Sequence, residues 1–375
     1  MANSLPAGAA AFRNSQEYLQ RQAPLLAKQR RRLGLEGLVG DLAGVIINVE
    51  PELQSQAVEE FQHYTGMSLG GAFRGPDYLT AVLRLEGRSG QARPADVLIR
   101  SRNNPAANPF GRLNDRPKSR HLPNTRLETF FFECSDLERY VAIQQGQGVR
   151  FVTDQIVRTD TYWFIQTQPS QAIGASYGFI QWLGSRRDYS FSGAQPVDWR
   201  LPSPAAPYRG NIGRLDHLAT RLPARSRDEA ILESVRLTNH SYQFSIYVES
   251  LNSITNVSRR SADDVGLVFT SGIAPFADEA SAGPTEMFVH NYGPRTHHLA
   301  FATEDIENTF AALKADGMTF MIELVGGPSE GLHQTFTNPS GNTLLVTEYI
   351  HRYGGFTGYF TLSNVTALTL ATGKQ

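Results

Sequence analysis

Four stretches of the chain run through the same succession of hydrophobic patterns. The segments PELQSQAVEEFQHYTG (51–66), SDLERYVAIQQGQG (135–148), RDEAILESVRLTN (227–239) and EDIENTFAALKADG (304–317) carry apolar residues at helical spacing, as at Ile306, Phe310 and Leu313. Each follows an apolar strand and precedes short alternating segments broken by Gly, Pro, Ser or Asn; in the last copy these are MTFMIEL, GLHQTFT and NTLLVTEYI. The pattern predicts a β-α-β-β-β unit, repeated four times, and hence an α+β fold. Gly66, Gly148, Asn239 and Gly317 stand where left-handed helix caps are wanted. Ser135 with Glu138 three residues on reads as a capping box.

The modules pair into two domains. Residues 1–34 form an extension containing a basic, solvated helix that ends in KQRRRLG; residues 35–200 hold modules one and two, and residues 211–375 hold modules three and four. The stretch 103–124 joins the first two modules, and the Pro-rich PVDWRLPSPAAPYRG (196–210) is the linker between halves. Residues 151–210 complete the N-terminal sheet, and a final helix around SNVTALTLAT closes over the C-terminal half.

Charge and cysteine content remove several alternatives. Lys and Arg number 35 against 36 Asp and Glu, so no overall field draws the 375-residue chain to nucleic acid or anionic lipid. A single cysteine, Cys134, excludes an internal disulfide framework and a thiolate zinc cluster. No apolar run approaches the roughly 20 residues of a membrane span, and the N-terminus lacks the layout of a secretion signal. The expectation is a cytoplasmic protein acting on a small molecule, with no nucleic-acid or membrane partner; homo-oligomerisation is left open.

The sharpest chemical signal is a repeat within the repeat. The first strands of modules three and four contain RLDHLAT (214–220) and THHLAFAT (296–303), each with His-Leu-Ala at the same point. Strand alternation puts His217 with Ala219 on one face, and His298 with Ala300 and Ala302, while Leu299 and Phe301 point to the module's own helix. A small-residue face bearing one imidazole is the wall of a cavity. Glu348, in LLVTEYIHR, shares a face with Leu344 and Val346; a carboxylate among apolar residues needs a partner. Two imidazoles and one carboxylate make a facial metal site with open positions, a set suited to Fe(II) and oxygen chemistry. His297 alternates away from His298, and the remaining histidines have no partners nearby in sequence.

LDHLAT, HHLAFATEDI, LHQTFTNPSGNTLLVTEYIHR and GGFTGYFTLSNVTAL together resemble the 4-hydroxyphenylpyruvate dioxygenase family of the vicinal oxygen chelate superfamily, over about residues 211–370. The resemblance implies vicinal oxygen chelate (glyoxalase-like) βαβββ modules forming two open-barrel domains. It implies Fe(II) held by His217, His298 and Glu348, and a substrate whose own 2-oxo acid group chelates the iron and is oxidatively decarboxylated by O2 as the same molecule is hydroxylated. It assigns substrate contacts to Ser253, Gln334, Phe336, Phe356 and Asn364, with Val365 where the family carries a second lid phenylalanine. The family's helical segment before LHQTFT is absent, so the pocket is expected to favour a 2-oxo acid other than 4-hydroxyphenylpyruvate. Readings that keep the fold are a 4-hydroxymandelate synthase-like enzyme, an extradiol-type ring-cleaving dioxygenase and a non-catalytic small-molecule binding protein.

Overall fold

A computed structural model describes residues 12–85, 93–202, 205–356 and 358–375. The start of the N-terminal extension (1–11), two linker residues and Thr357 of the tail lie outside the described residues. In chain order the N-terminal half contains α1 (Glu17–Leu33), β1 (Val39–Asn48), α2 (Gln54–Tyr64), β2 (Ser68–Arg74), β3 (Tyr78–Arg84), β4 (Asp96–Arg102), β5 (Arg126–Cys134), α3 (Leu137–Gly146), β6 (Val157–Arg158), β7 (Tyr162–Gln166), β8 (Ser176–Trp182) and β9 (Gln195–Pro196). The C-terminal half contains β10 (Ile212–Leu222), α4 (Arg227–Leu237), β11 (Ser241–Val248), β12 (Ser253–Arg259), β13 (Gly266–Ser271), α5 (Pro284–Tyr292), β14 (Arg295–Thr303), α6 (Ile306–Ala315), β15 (Val325–Gly327), β16 (Leu332–Phe336), β17 (Val346–Arg352) and α7 (Leu362–Ala371).

Each half is one sheet made of two β-α-β-β-β modules. The orders are β6-β7-β8-β5-β1-β4-β3-β2-β9 and β11-β12-β13-β10-β14-β17-β16-β15. In both, the first strand of a module pairs in parallel with that module's last strand, and the two first strands pair antiparallel at the centre. Strand alternation then gives every sheet one face for helices and one concave face for a site. Val45, Ile47, Phe130 and Phe132 meet Val58, Phe61 and Tyr140 on the helical side; Leu218, Leu299 and Phe301 lie in the same core with Ile231 and Leu313. No described helix is long and apolar enough to cross a membrane.

Several local expectations are corrected. Gly148 and Gly317 do take positive φ, 82° and 92°, but α2 and α4 end differently. There Thr65 and Thr238 are extended, and each hydroxyl donates to the carbonyl four residues back, at Phe61 and Ser234. Gly66 answers to space instead, since a Cβ there would come within 2.2 Å of the Ile212 carbonyl oxygen. Asp136, not Ser135, caps α3, accepting from the Arg139 amide at 3.0 Å. The helix α1 is not simply solvated: Arg30 is buried and donates to the carbonyls of Val235 in the last turn of α4 and of Thr238 and His240 just beyond it. MTFMIEL forms no strand beyond a bridge at Phe320; its Met321 and Ile322 pack against the Phe336, Val346 and Leu368 cluster as an irregular segment, and the edge strand is β15. Leu344 takes φ 60° ahead of β17 and so lies outside the strand's alternation.

Candidate metal centre

Backbone register alone brings the three candidate ligands together. On the concave face, His217 of β10 stands opposite Ala300 of β14, which stands opposite Glu348 of β17; one step along, Ala219 faces His298 and His298 faces Val346. Two imidazoles and a carboxylate thus stand around Ala219, Ala300 and Val346 on the concave face, and Ala219 lines the cavity beside them. Glu348 Oε2 lies 3.1 Å from His217 Nε2 and 3.1 Å from His298 Nε2, and the two Nε2 atoms are 3.3 Å apart. All three side chains are buried, and they are the group of ligand atoms among the described residues close enough together to hold a metal ion.

The outer atom of each ligand is held by a different device. His217 Nδ1 meets Asp216 Oδ1 at 2.8 Å, and Asp216 takes two hydrogen bonds from Arg352, at 3.0 and 2.8 Å. Glu348 Oε1 accepts from Gln334 Nε2 at 2.6 Å, and Gln334 Oε1 accepts from Asn364 Nδ2 at 2.9 Å. His298 Nδ1 lies 2.7 Å from His297 Nδ1, whose Nε2 reaches Gln375 Oε1 at 2.8 Å. The amide oxygen can only accept, so His297 carries its proton on Nε2, and His298 carries one on Nδ1. Both ligand imidazoles therefore aim Nε2 lone pairs at the carboxylate, a convergence that a cation relieves; the donor set fits a divalent metal.

The same crowding shifts the titrations. Burial depresses the His217 imidazole, but the Glu348 carboxylate and then Asp216 outweigh it and raise it to about 9. Burial holds His298 down, to about 4, against the pull of Glu348. Glu348 is raised by burial yet brought to about 2 by His217 and then His298. Without a metal, a proton on His217 supplies the positive charge the site calls for.

Gln334, Phe336 and Val365 line the cavity above these ligands, together with Phe360, Leu368 and Thr369. Asn364 does not face the cavity and instead braces Gln334 from α7. Ser253 is buried with its hydroxyl 3.0 Å from Thr285, and Phe356 packs on Ala300, Leu332 and Ile350; neither lines the cavity. The expected loss of the second aromatic wall is corrected: Phe360 of GYF, not the position of Val365, supplies a ring, 5.1 Å from the His217 ring, while Phe336 lies 4.7 Å from that of His298. His297 is a second correction. A register shift between Ala219 and Thr220 inserts it as an extra residue in β14, which defeats simple alternation and buries it against His298. Asp216, Arg352 and Gln375 also escaped sequence reasoning; of these only Asp216, next to His217, carried a local signal.

Residues 256–346 match the family profile described as the glyoxalase/bleomycin resistance protein/dioxygenase superfamily. No curated protein sequence matches the chain. Among solved structures, a mutant of 4-hydroxymandelate synthase from Streptomyces coelicolor is similar at 18% identity and a TM-score of 0.65, over 90% of this chain and 98% of that one. A xylose isomerase-like TIM barrel/4-hydroxyphenylpyruvate dioxygenase fusion protein is similar at 15% identity and a TM-score of 0.61, over 93% of this chain; the chain spans 57% of that fusion. The chain therefore has the vicinal oxygen chelate fold, in two sheets of two modules each, and is similar over most of its length to these two structures.

Proposed function

We propose that the protein is a metal-dependent oxygenase that decarboxylates a 2-oxo acid with O2 and hydroxylates the same molecule. The observation that carries this reading is the buried convergence of His217 Nε2, His298 Nε2 and Glu348 Oε2 beneath an aromatic and aliphatic cavity. The named activities of the two similar structures point the same way. His217, His298 and Glu348 would hold Fe(II). Bound there, iron would supply the open coordination positions for a 2-oxo acid chelate and for the reduction of dioxygen.

The chain's own groups do the rest. Gln334 donates to Glu348 Oε1 and so fixes the carboxylate with Oε2 turned to the two imidazoles. Asp216 accepts from His217 Nδ1–H and holds the ring's tautomer; His297 does this for His298 without adding a charge. Phe336, Phe360, Val365 and Leu368 exclude water from the space above the ligands. The helix α7 roofs the cavity through Val365, Leu368 and Thr369, a closure suited to keeping external reductants from the site. A non-catalytic binding protein would have no use for three braced ligands.

Oxygen consumption by the Fe(II)-loaded protein across aryl and alkyl 2-oxo acids tests the reading. The expected result is O2 uptake matched by CO2 release with no added 2-oxoglutarate. Turnover of a catechol without CO2 would replace it. Product analysis then separates ring from benzylic hydroxylation, the second being the outcome for a 4-hydroxymandelate synthase-like enzyme.

A further inference from the structure

The concave face of the C-terminal sheet carries a second polar group that the metal site does not use. Arg221 lies on β10 two alternations beyond His217, lines the cavity, and is 4% exposed. Its guanidinium donates to Thr372 Oγ1 at 2.6 Å, makes a long 3.5 Å contact to the Pro284 carbonyl, and sits 4.9 Å from the Phe288 ring centre. It has no carboxylate partner among the described residues. With burial as the cause and no acid to oppose it, its pKa falls to about 9. A buried cation without a counter-charge is costly to keep, so its presence in a ligand cavity asks for an anion.

Register arranges the surroundings in rows. His217 pairs with Gly266 in the first row; Ala219 pairs with Val268, and Val268 with Val257, in the second; Arg221 pairs with Thr270, and Thr270 with Thr255, in the third. Thr255 and Thr270 both line the cavity beside Arg221, as does Thr369 of α7. Successive same-face rows lie about 6.7 Å apart, so the cationic row stands about 13 Å along the strand from the row of His217 and about 6.7 Å from the row that His298 shares with Ala219. Read across the face, the sheet offers a chelation site whose outer row sets His298 beside the apolar Ala219 and Val268, and then, one row on, a guanidinium flanked by hydroxyls.

On that geometry, and resting on the 2-oxo acid reading above, we infer that the substrate is a 2-oxo acid with a second anionic group at its far end, received by Arg221 with Thr255 and Thr270. The middle of such a molecule is apolar and lies over Ala219 and Val268 between Phe336 and Phe360. A neutral hydroxyl at the far end would leave the guanidinium without its counter-charge. Arg221 is thus a specificity-determining residue, remote from the reacting atoms.

The test is calorimetric titration of the anaerobic Fe(II)-loaded protein with matched pairs: 2-oxooctanedioate against 2-oxooctanoate, and 4-carboxyphenylpyruvate against phenylpyruvate. In at least one pair the diacid should bind about tenfold to a hundredfold more tightly, the range of a charge-assisted hydrogen-bonded contact. In Arg221→Met this ratio should fall to about one while the monoacid's affinity stays within about threefold, and Arg221→Lys should keep part of it. Because Arg221→Met removes an uncompensated buried charge, its melting temperature should equal or exceed that of the wild type. Equal binding of both members of each pair by the wild type overturns the inference, as does a diacid preference that survives in Arg221→Met. Should no 2-oxo acid bind at all, the fault lies in the proposed function and not in the role of Arg221.

Discussion

The two halves of the molecule place different residues at equivalent points of one scaffold. His217 stands opposite Ala300, and Ala300 opposite Glu348; in the N-terminal sheet, Gly44 stands opposite Phe131, and Phe131 opposite Gly178. His298 pairs with Ala219, and its counterpart Thr129 with Ile46. The three ligand positions are thus Gly44, Thr129 and Gly178 in the first half. The central Ala300 is replaced by a phenylalanine whose ring takes up the vacated space. Both glycines are set by close approach: a Cβ at Gly44 would lie 2.4 Å from the Asp96 carbonyl oxygen and 2.5 Å from the Phe131 ring, and one at Gly178 would lie 2.8 Å from Phe131 Cβ. Phe131 packs with Ile46, Leu98 and Ile180, so this concave centre is an apolar floor beneath a cavity of about 480 Å³, where the other carries a ligand cage. The lesson is that a handful of concave-face positions decide between packing and chemistry, while the helical face is built alike in both sheets.

The contrast can be broken first at the ligands. Replacing His217, His298 or Glu348 with Ala should abolish stoichiometric iron by metal analysis, a larger effect than the roughly 10–100-fold loss typical of groups that merely orient a ligand. Thr129→Ala, at the counterpart of His298, should not change iron content. If His298→Ala keeps native iron, the strand-face argument is wrong.

Next in size is the plug. Phe131→Ala should lower unfolding free energy by about 3–5 kcal/mol in denaturant titrations, through lost burial and the cavity left behind. Iron stoichiometry should not move, since Phe131 has no contact with the C-terminal ligands. A variant that unfolds normally but loses iron would mean that the halves are not separable in this way.

A smaller effect belongs to the bracing groups. Asp216→Asn and His297→Phe should each weaken iron binding by about 10–100-fold in chelator competition without changing the number of sites. Asp216→Asn also removes a charge that raises the His217 pKa, so its iron affinity should depend less on pH.

The smallest effect is the pH dependence itself. The His217 pKa is raised, from 6.5 to about 9, in the metal-free fold. The stability it contributes is complete below about 6.5 and disappears as pH climbs through about 9. Metal-free protein should therefore lose melting temperature between these limits, and iron affinity should rise by about tenfold per unit as the competing proton leaves. Melting curves with and without iron give the comparison; a flat metal-free profile over that window removes His217 as the titrating group.

Much of this was written into the sequence, but unevenly. The β-α-β-β-β succession and the ligand faces follow from period-two and period-3.6 patterning, which is strong where strands are long and half-buried, as in LDHLAT and HHLAFAT. What lay beyond reach depends on long-range packing. His297 reads as facing away because a bulge leaves no mark on residue identity. Phe360 carries no such signal, because the tail is irregular between Arg352 and Leu362 and spacing sets no register there. Ser253 sits on a strand of the right sheet, yet its hydroxyl is turned to Thr285 of α5, a contact that alternation cannot foresee.

The ligands come from β10, β14 and β17, strands far apart in sequence that meet only when modules three and four pair. Nothing resembling the cage exists in a nascent or partly folded chain, whose scattered imidazoles offer the metal no more than transient single-point binding. Its assembly therefore waits on the pairing of the two modules, and Asn364 of α7 holds Gln334 beside the finished cage. A polypeptide that captures its ion only after it has folded is spared premature oxidation of its own unfolded segments.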